Sequence, residues 1–388
     1  MACVMNLDLK RYCQQLQQLV AQPSVSCALP EWDMPNLPVL ELLANWLEDL
    51  GFRVQLLPLA QKGKANLVAV LGEGEGGLVF SGHSDTVPYD KDRWQTDPFT
   101  LTEKDQRLYG LGATDMKGFF PLVLEAVRPY LQTPLHQPII LLVTADEESS
   151  MSGARALARE GIPGIKPRYA VIGEPTGLKP IRMHKGIMME RVRVLGKSGH
   201  SSNPALGRNA LETMQKVMGE LLQLRSELQL KYRNPGFAVQ TPTLNLGCIH
   251  GGDGANRICG ECELHFDLRT LPGMDNKEIR MAINARLQPL AETSGTDLVF
   301  SSLFEGVDAF MEDETADLVK ACEELSGQRS DSVAFATEAP FLQQLGAQTL
   351  VLGPGSIDQA HQPDEFIALD QLEPGLRILR NLIERYCL

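Results

Sequence analysis

The sequence predicts an α/β fold in which a mixed, largely parallel sheet lies between helices and is interrupted by a smaller ferredoxin-like α+β module. Three observations carry this. Over residues 1–182, short apolar runs alternate with stretches of helical periodicity, the pattern of strand–helix–strand units. Over residues 183–298 the order becomes β-α-β-β-α-β, that of a ferredoxin-like module. Over residues 299–388 the first pattern resumes, so the module reads as an insertion into one larger domain.

In chain order, the runs 67–71, 78–81, 139–144 and 169–172 read as short buried strands, because unbroken apolar runs of this length suit strands covered on both faces. Segments 39–50, 119–130 and 152–159 read as helices between them. In the module, 189–195 alternates like a half-exposed strand and 209–228 is a long helix. Strands 243–249 and 261–269 come next, joined by the Gly-rich loop 251–254; then come helix 275–292 and strand 298–301. Helix 315–325, strand 349–352 and helix 371–385 complete the larger domain.

Composition narrows the function classes. Apolar residues make up 43% and charged residues 22% of the 388 residues, ordinary globular values. No run approaches the roughly 20 apolar residues of a membrane span. From Met5 to Val20, Leu alternates with Asp, Lys, Arg and Gln, which is an amphipathic helix and not the apolar core of a signal peptide; the cytoplasm is the expected location. A net charge of −13 repels nucleic-acid phosphates and anionic membranes. Eight cysteines are too dilute for a disulfide scaffold. Cys259 and Cys262 form a C-x-x-C without the second pair of a zinc ribbon, so both read as buried thiols.

The residues just beyond each buried strand are more specific. After 78–80 comes Ser81-Gly82-His83-Ser84-Asp85, and after 140–143 comes Thr144-Ala145-Asp146-Glu147-Glu148. After 170–172 comes Gly173-Glu174-Pro175. After 349–352 comes Gly353-Pro354-Gly355-Ser356, then His361. Singly, each is a common loop. Together, four strands deliver His or Glu just beyond their carboxyl ends, the edge at which open α/β sheets bind ligands. Asp115 joins them from the Gly-rich turn 110–118. Two His and several carboxylates without Cys suit Zn, Mn or Co. Asp115, Glu148 and Glu174 would repel one another in one pocket, and two divalent cations bridged by Asp115 and a hydroxide would make the cluster neutral. Asp85, two residues from His83, points the same way and is placed to accept the second imidazole N–H. Glu147 is the surplus acid, free to act as general base.

These residues carry a resemblance. Ser81-Gly82-His83-Ser84-Asp85-Thr86-Val87-Pro88, Asp115-Met116-Lys117-Gly118, Ala145-Asp146-Glu147-Glu148 and Gly173-Glu174-Pro175-Thr176 resemble the motifs of the dinuclear M20 metallopeptidase and deacylase family. The match continues through Leu108-Tyr109-Gly110-Leu111-Gly112, His184-Lys185-Gly186, Asn256-Arg257-Ile258-Cys259, Thr337-Glu338-Ala339-Pro340-Phe341 and Ala360-His361-Gln362-Pro363-Asp364-Glu365. One departure is Ala113-Thr114, where the reverse order is expected; Asp115 is untouched. The resemblance implies two divalent ions per chain, Zn with Co or Mn as the other candidates. One would be held by His83, Asp115 and Glu174, the other by Asp115, Glu148 and His361. It implies Glu147 as acid/base, Asp85 behind His83, a cis peptide after Asp115, and a homodimer built through the inserted domain.

The implied substrate is a small N-acetylated amino acid: N2-acetyl-L-ornithine, cleaved to L-ornithine and acetate in arginine biosynthesis. His200, read from its own surroundings as a loop-capping residue, becomes by resemblance an oxyanion donor reaching the partner subunit's site. Arg269 ends an alternating strand on its polar face; with Asn256, and less directly Lys185, it is placed to hold the substrate carboxylate. Glu338 is the charge-complementary partner for the substrate ammonium. A sister activity, succinyl-diaminopimelate desuccinylase or dipeptidase, is the nearest competing reading. A metal-stabilised binding protein without catalysis is the other, and the intact Glu147 argues against it.

Overall fold

The computed structural model describes residues 6–388. The chain divides into two compact units, one of Met1–Arg182, Glu312–Asp331 and Glu338–Leu388, the other of Met183–Met311 and Ser332–Thr337.

In the first unit, strands run in the order Arg53–Pro58, Ala65–Leu71, Ile139–Thr144, Leu78–His83, Tyr169–Pro175 and Gln348–Gly353. The first three pair antiparallel. Ile139–Thr144, Leu78–His83, Tyr169–Pro175 and Gln348–Gly353 pair parallel in that order. These four are the strands whose carboxyl ends lead into the candidate site residues. A parallel sheet therefore brings four distant segments to one edge. The three strands from Ile139, Leu78 and Tyr169 are buried throughout, as their unbroken apolar runs require.

The helices bury one face each. Leu9–Val20 starts at Asp8, whose carboxylate accepts the Arg11 N–H at 3.0 Å, and buries Tyr12, Leu16, Leu19 and Val20; Met5, where the amphipathic pattern begins, lies outside the described residues. Leu37–Asp49 buries Leu40, Leu43 and Leu47 at helical spacing. Phe119–Val127 is buried all round and gives way to a 3-10 turn, Arg128–Tyr130. The expected helix 119–130 thus ends early, because Pro129 has no N–H to continue the ladder. This helix approaches the sheet closely: a Cβ on Gly173 would meet the Phe119 ring at 2.2 Å. A separate three-stranded sheet joins Thr102–Lys104 and Arg107–Tyr109 to Phe366–Ala368.

The second unit holds a four-stranded antiparallel sheet in the order Thr243–Gly251, Glu261–Arg269, Met188–Leu195, Asp297–Ser302. Two helices, Ala210–Lys231 and Asn276–Ser294, complete the β-α-β-β-α-β order. Asn209 and Asp275 cap them, and Gly295, at φ 62°, closes the second. Their apolar faces and alternate strand residues form one core, including Val192, Val194, Met214, Val217, Leu264, Phe266 and Ile283. Cys259 and Cys262 are buried free thiols, Cys259 donating to the Glu261 carbonyl and Cys262 pushed up to about 11 by burial. Among the described residues, no helix is long and apolar enough to cross a membrane.

Candidate metal centre

His83 ends its strand with its ring buried. Nδ1 lies 3.0 Å from the carbonyl oxygen of Asp85. An N–H there leaves Nε2 facing Asp115 Oδ1 at 3.1 Å and Glu174 Oε1 at 3.7 Å. The expectation for Asp85 is corrected in one respect: its carboxylate lies 3.8 Å from the imidazole and instead accepts the backbone N–H groups of Glu147 (3.3 Å) and Glu148 (3.1 Å). The reason is register. His83 pairs with Thr144, so the two chain segments leave the sheet side by side, and a left-handed Asp146 (φ 59°) turns the next two amides toward Asp85. Asp146 is itself held by Lys64 Nζ at 2.6 Å, Ser152 Oγ at 2.8 Å and Ser26 Oγ at 3.1 Å.

Asp115 sits between the two imidazoles, with Oδ2 3.6 Å from His361 Nε2, and its peptide bond to Met116 is cis. His361 Nε2 lies 3.0 Å from Glu148 Oε2. Ligand atoms of His83, Asp115 and Glu148 fall within 4.8 Å of one another, as do those of His83, Glu147 and Glu174. The five expected ligands are therefore gathered in one cluster, and Glu147 lies within it beside His83 and Glu174.

Two further acids border this cluster; the sequence assigns Glu338 to the substrate and assigns no role to Glu365. Glu365 is buried and its carboxylate accepts the N–H groups of Gly112 (2.9 Å), Thr114 (2.8 Å) and Asp115 (2.9 Å). Pairing of Phe366 with Tyr109 puts it there. Its place in the motif beside His361 is the available signal. Glu338, expected to meet a substrate ammonium, is buried and interacts electrostatically with His83, Asp85, Glu147 and Glu174; its Oε1 has no hydrogen-bond partner.

Electrostatics tests the cluster's fitness for cations. Burial, then repulsion from Glu174, pushes Glu147 well above the carboxylate range; burial and Asp115 do the same to Glu174. Burial raises Glu338 to about 7 and, with Asp115, Glu365 to about 8. Burial works against protonation of His83, but Asp115, Glu174 and Asp85 outweigh it and raise its pKa well above the ordinary value. Hydrogen bonding to Glu148 raises His361 to about 9. Four buried acids and both imidazoles are thus shifted toward their protonated forms. That is the behaviour of a donor set short of positive charge, and an N/O set of this kind fits divalent ions.

The other candidates lie in the second unit. His200 is exposed in Gly199–His200, paired with Arg257–Ile258, and its Nδ1 lies 2.7 Å from Ser202 Oγ. The Asn256 carbonyl accepts the Ser201 N–H at 3.1 Å, so Asn256 shares that loop. Arg269 is half-buried and donates to Asp267 at 2.9 Å. Lys185 is buried, donates to the Thr241 carbonyl at 2.8 Å, and is lowered by burial and by Arg269. Lys185 and Arg269 are thus electrostatic neighbours.

Comparison with known proteins places this architecture. Residues 79–385 match the sequence profile of peptidase family M20/M25/M40. A protein named acetylornithine deacetylase from Pasteurella multocida is 48% identical over 97% of this chain and 98% of its own length. One of the same name from Edwardsiella ictaluri is 47% identical over 99% and 100%. An M20 family metallo-carboxypeptidase from Sulfolobus solfataricus, 18% identical, superposes with a TM-score of 0.74 over 96% of this chain and 98% of that one, which shows the fold alone. On its sequence profile and these nearly full-length relatives, the chain belongs to peptidase family M20/M25/M40.

Proposed function

We propose that this protein is a metal-dependent amide hydrolase that removes the acetyl group from N2-acetyl-L-ornithine, yielding L-ornithine and acetate for arginine biosynthesis. The observation that carries the reading is a cation-deficient carboxylate–imidazole cluster with one acid, Glu147, to spare, in a chain nearly half identical to proteins named acetylornithine deacetylase. Two divalent ions, zinc above all and cobalt or manganese by the same donor chemistry, would be held by His83, Asp115 and Glu174, and by Asp115, Glu148 and His361. Such ions supply Lewis acidity toward the amide carbonyl and make water a better acid.

The chain's residues do the rest. Glu147, with a pKa raised by burial and by Glu174, takes the proton of the attacking water and returns it to the leaving amine nitrogen. Asp85 fixes the Glu147 and Glu148 amides, and so the stretch that presents both carboxylates. His200 donates to the developing oxyanion from the partner subunit of a homodimer. Arg269, Lys185 and Asn256 hold the α-carboxylate, and Glu338, with its unpartnered oxygen, takes the side-chain ammonium. The cytoplasm is the proposed location. A panel of N-acyl amino acids tests the substrate: N-acetylornithine should be hydrolysed at least about tenfold more efficiently than N-succinyl-diaminopimelate, which carries extra carboxylates. A preference for the succinyl compound would overturn the specificity and leave the metal chemistry standing.

A further inference from the structure

The half-exposed face of the second unit's sheet carries another set of ligating side chains, different in kind from the carboxylate cluster. In the antiparallel pair Thr243–Gly251 and Glu261–Arg269, Cys248 stands opposite His265 and His250 opposite Glu263. Directly paired residues share a face of the sheet, as do residues two apart on one strand. The four side chains therefore form a two-by-two block. Its presence depends on a register shift between Leu246 and Cys248, where Gly247 is the extra residue. Without that bulge, Cys248 and His250 would continue the alternation of Leu244 and Leu246 and point into the core. Bulges often serve to re-aim side chains in this way.

Within the block, Cys248 Sγ and His250 Nε2 lie 3.0 Å apart, and His265 Nε2 and Glu263 Oε1 lie 2.8 Å apart. Cys248 and His250 are exposed, and the His265 and Glu263 side chains are 32% and 25% exposed. A thiolate, two imidazoles and a carboxylate are the donors that zinc takes in tetrahedral sites. Around a shared ion of that geometry, S···N and N···O separations are about 3.5 Å and 3.3 Å. Each existing pair would open by about half an ångström. Side-chain rotation would then bring the pairs together, across strands whose opposed Cβ atoms are about 4.5–5.5 Å apart. All four side chains have solvent to turn through.

We propose that Cys248, His250, His265 and Glu263 form a third cation site that takes one zinc-like divalent ion. On binding, the Cys248 thiol loses its proton to solvent, the imidazoles bind neutral and Glu263 binds ionised, so no other reactant is needed. The bound ion clips strand Thr243–Gly251 to its neighbour beyond the bulge.

Cobalt(II) distinguishes this site from the first, because the carboxylate cluster contains no sulfur. Protein stripped of metal by a chelator and titrated with Co²⁺ should develop the near-ultraviolet thiolate-to-cobalt charge-transfer band as a third equivalent binds. Cys248→Ser should abolish the band, leave two equivalents bound and leave hydrolysis unchanged. His250→Ala and His265→Ala should each weaken the band-forming equivalent at least about tenfold. A wild-type protein with no such band overturns the proposal. So does a band that survives Cys248→Ser, or one whose affinity is indifferent to both histidines.

Discussion

The two units hold their polar side chains in opposite ways. In the first, each member of the cluster is secured by residues far away in the chain. Asp85 holds the amides of Glu147 and Glu148, Glu365 holds the Gly112–Asp115 turn, and His361 meets Glu148. In the second, four side chains lean on partners two residues away: His200 on Ser202, Arg269 on Asp267, His265 on Glu263, Cys248 on His250. The difference comes from the sheets. A parallel sheet gathers the ends of distant strands at one buried edge, whereas the open face of an antiparallel sheet displays side chains beside their own neighbours. Substitutions at residues that secure the first unit's cluster, such as Glu365, should therefore disturb fold and cation binding together. At these locally held side chains of the second unit they should change function with little change in stability.

His200 gives the sharpest way to break that contrast. Its side chain is exposed and bonds to Ser202, so His200→Ala should leave the unfolding midpoint nearly unchanged. Loss of an oxyanion donor should lower turnover on the order of 10²–10³-fold. If His200 serves the partner subunit, refolding an equal mixture of His200→Ala and Glu147→Ala chains should restore roughly a quarter of wild-type activity, since half the dimers are mixed and each has one complete site. No recovery, with wild type refolding well in parallel, would place His200 in its own chain's site or in none.

Glu365 tests the other side. Glu365→Ala strands three buried N–H groups, at about 1–3 kcal/mol each when unsatisfied, so denaturant unfolding should show a loss of at least about 3 kcal/mol in the first unit. Glu365→Gln keeps an accepting oxygen and should recover part of that loss. Equal stability of the two variants would show that the carboxylate, not the accepting geometry, secures the turn.

A smaller effect separates the units by pH. Burial lowers His184 to about 4 from the usual 6.5, and its neutral ring is placed to donate from Nδ1 to the Lys185 carbonyl and to accept the Thr337 N–H at Nε2. Between pH 6.5 and 4 the unfolded chain binds this proton and the folded chain does not. Stability therefore falls as pH falls through that window, by up to about 3 kcal/mol. His184→Gln should flatten that slope in second-unit unfolding; an unchanged slope would assign it to other groups.

How much of this is legible in the sequence depends on distance. The mixed α/β sheet and the ferredoxin-like module can be read because apolar runs and periodicities are local. His83, Glu174 and His361 can be read because each comes after an apolar strand. The contacts of the Asp85 carboxylate are not legible locally, because the competing donors, the Glu147 and Glu148 amides, come from a neighbouring strand. Glu365 escapes a local reading because its role arises from the pairing of Phe366 with Tyr109, more than two hundred residues earlier. The helix expected over 119–130 ends at Val127, although Pro129 is there in the sequence to stop it. The Cys248 block depends on one bulge that shifts its strand's alternation, and no local pattern announces a bulge at Gly247.

The central claim is that the first unit's edge binds cations through one set of side chains and moves protons through another. Metal content and turnover measured together on Glu147→Ala and Glu148→Ala test it most directly. Glu147→Ala should retain close to two ions per chain by elemental analysis and lose turnover by about 10²–10⁴-fold. Glu148→Ala should lose bound metal, because His361 and Asp115 alone are a poor site for the second ion. If both variants are equally depleted of metal, or if Glu147→Ala turns over substrate like the wild type, the division between ligand and proton carrier is wrong.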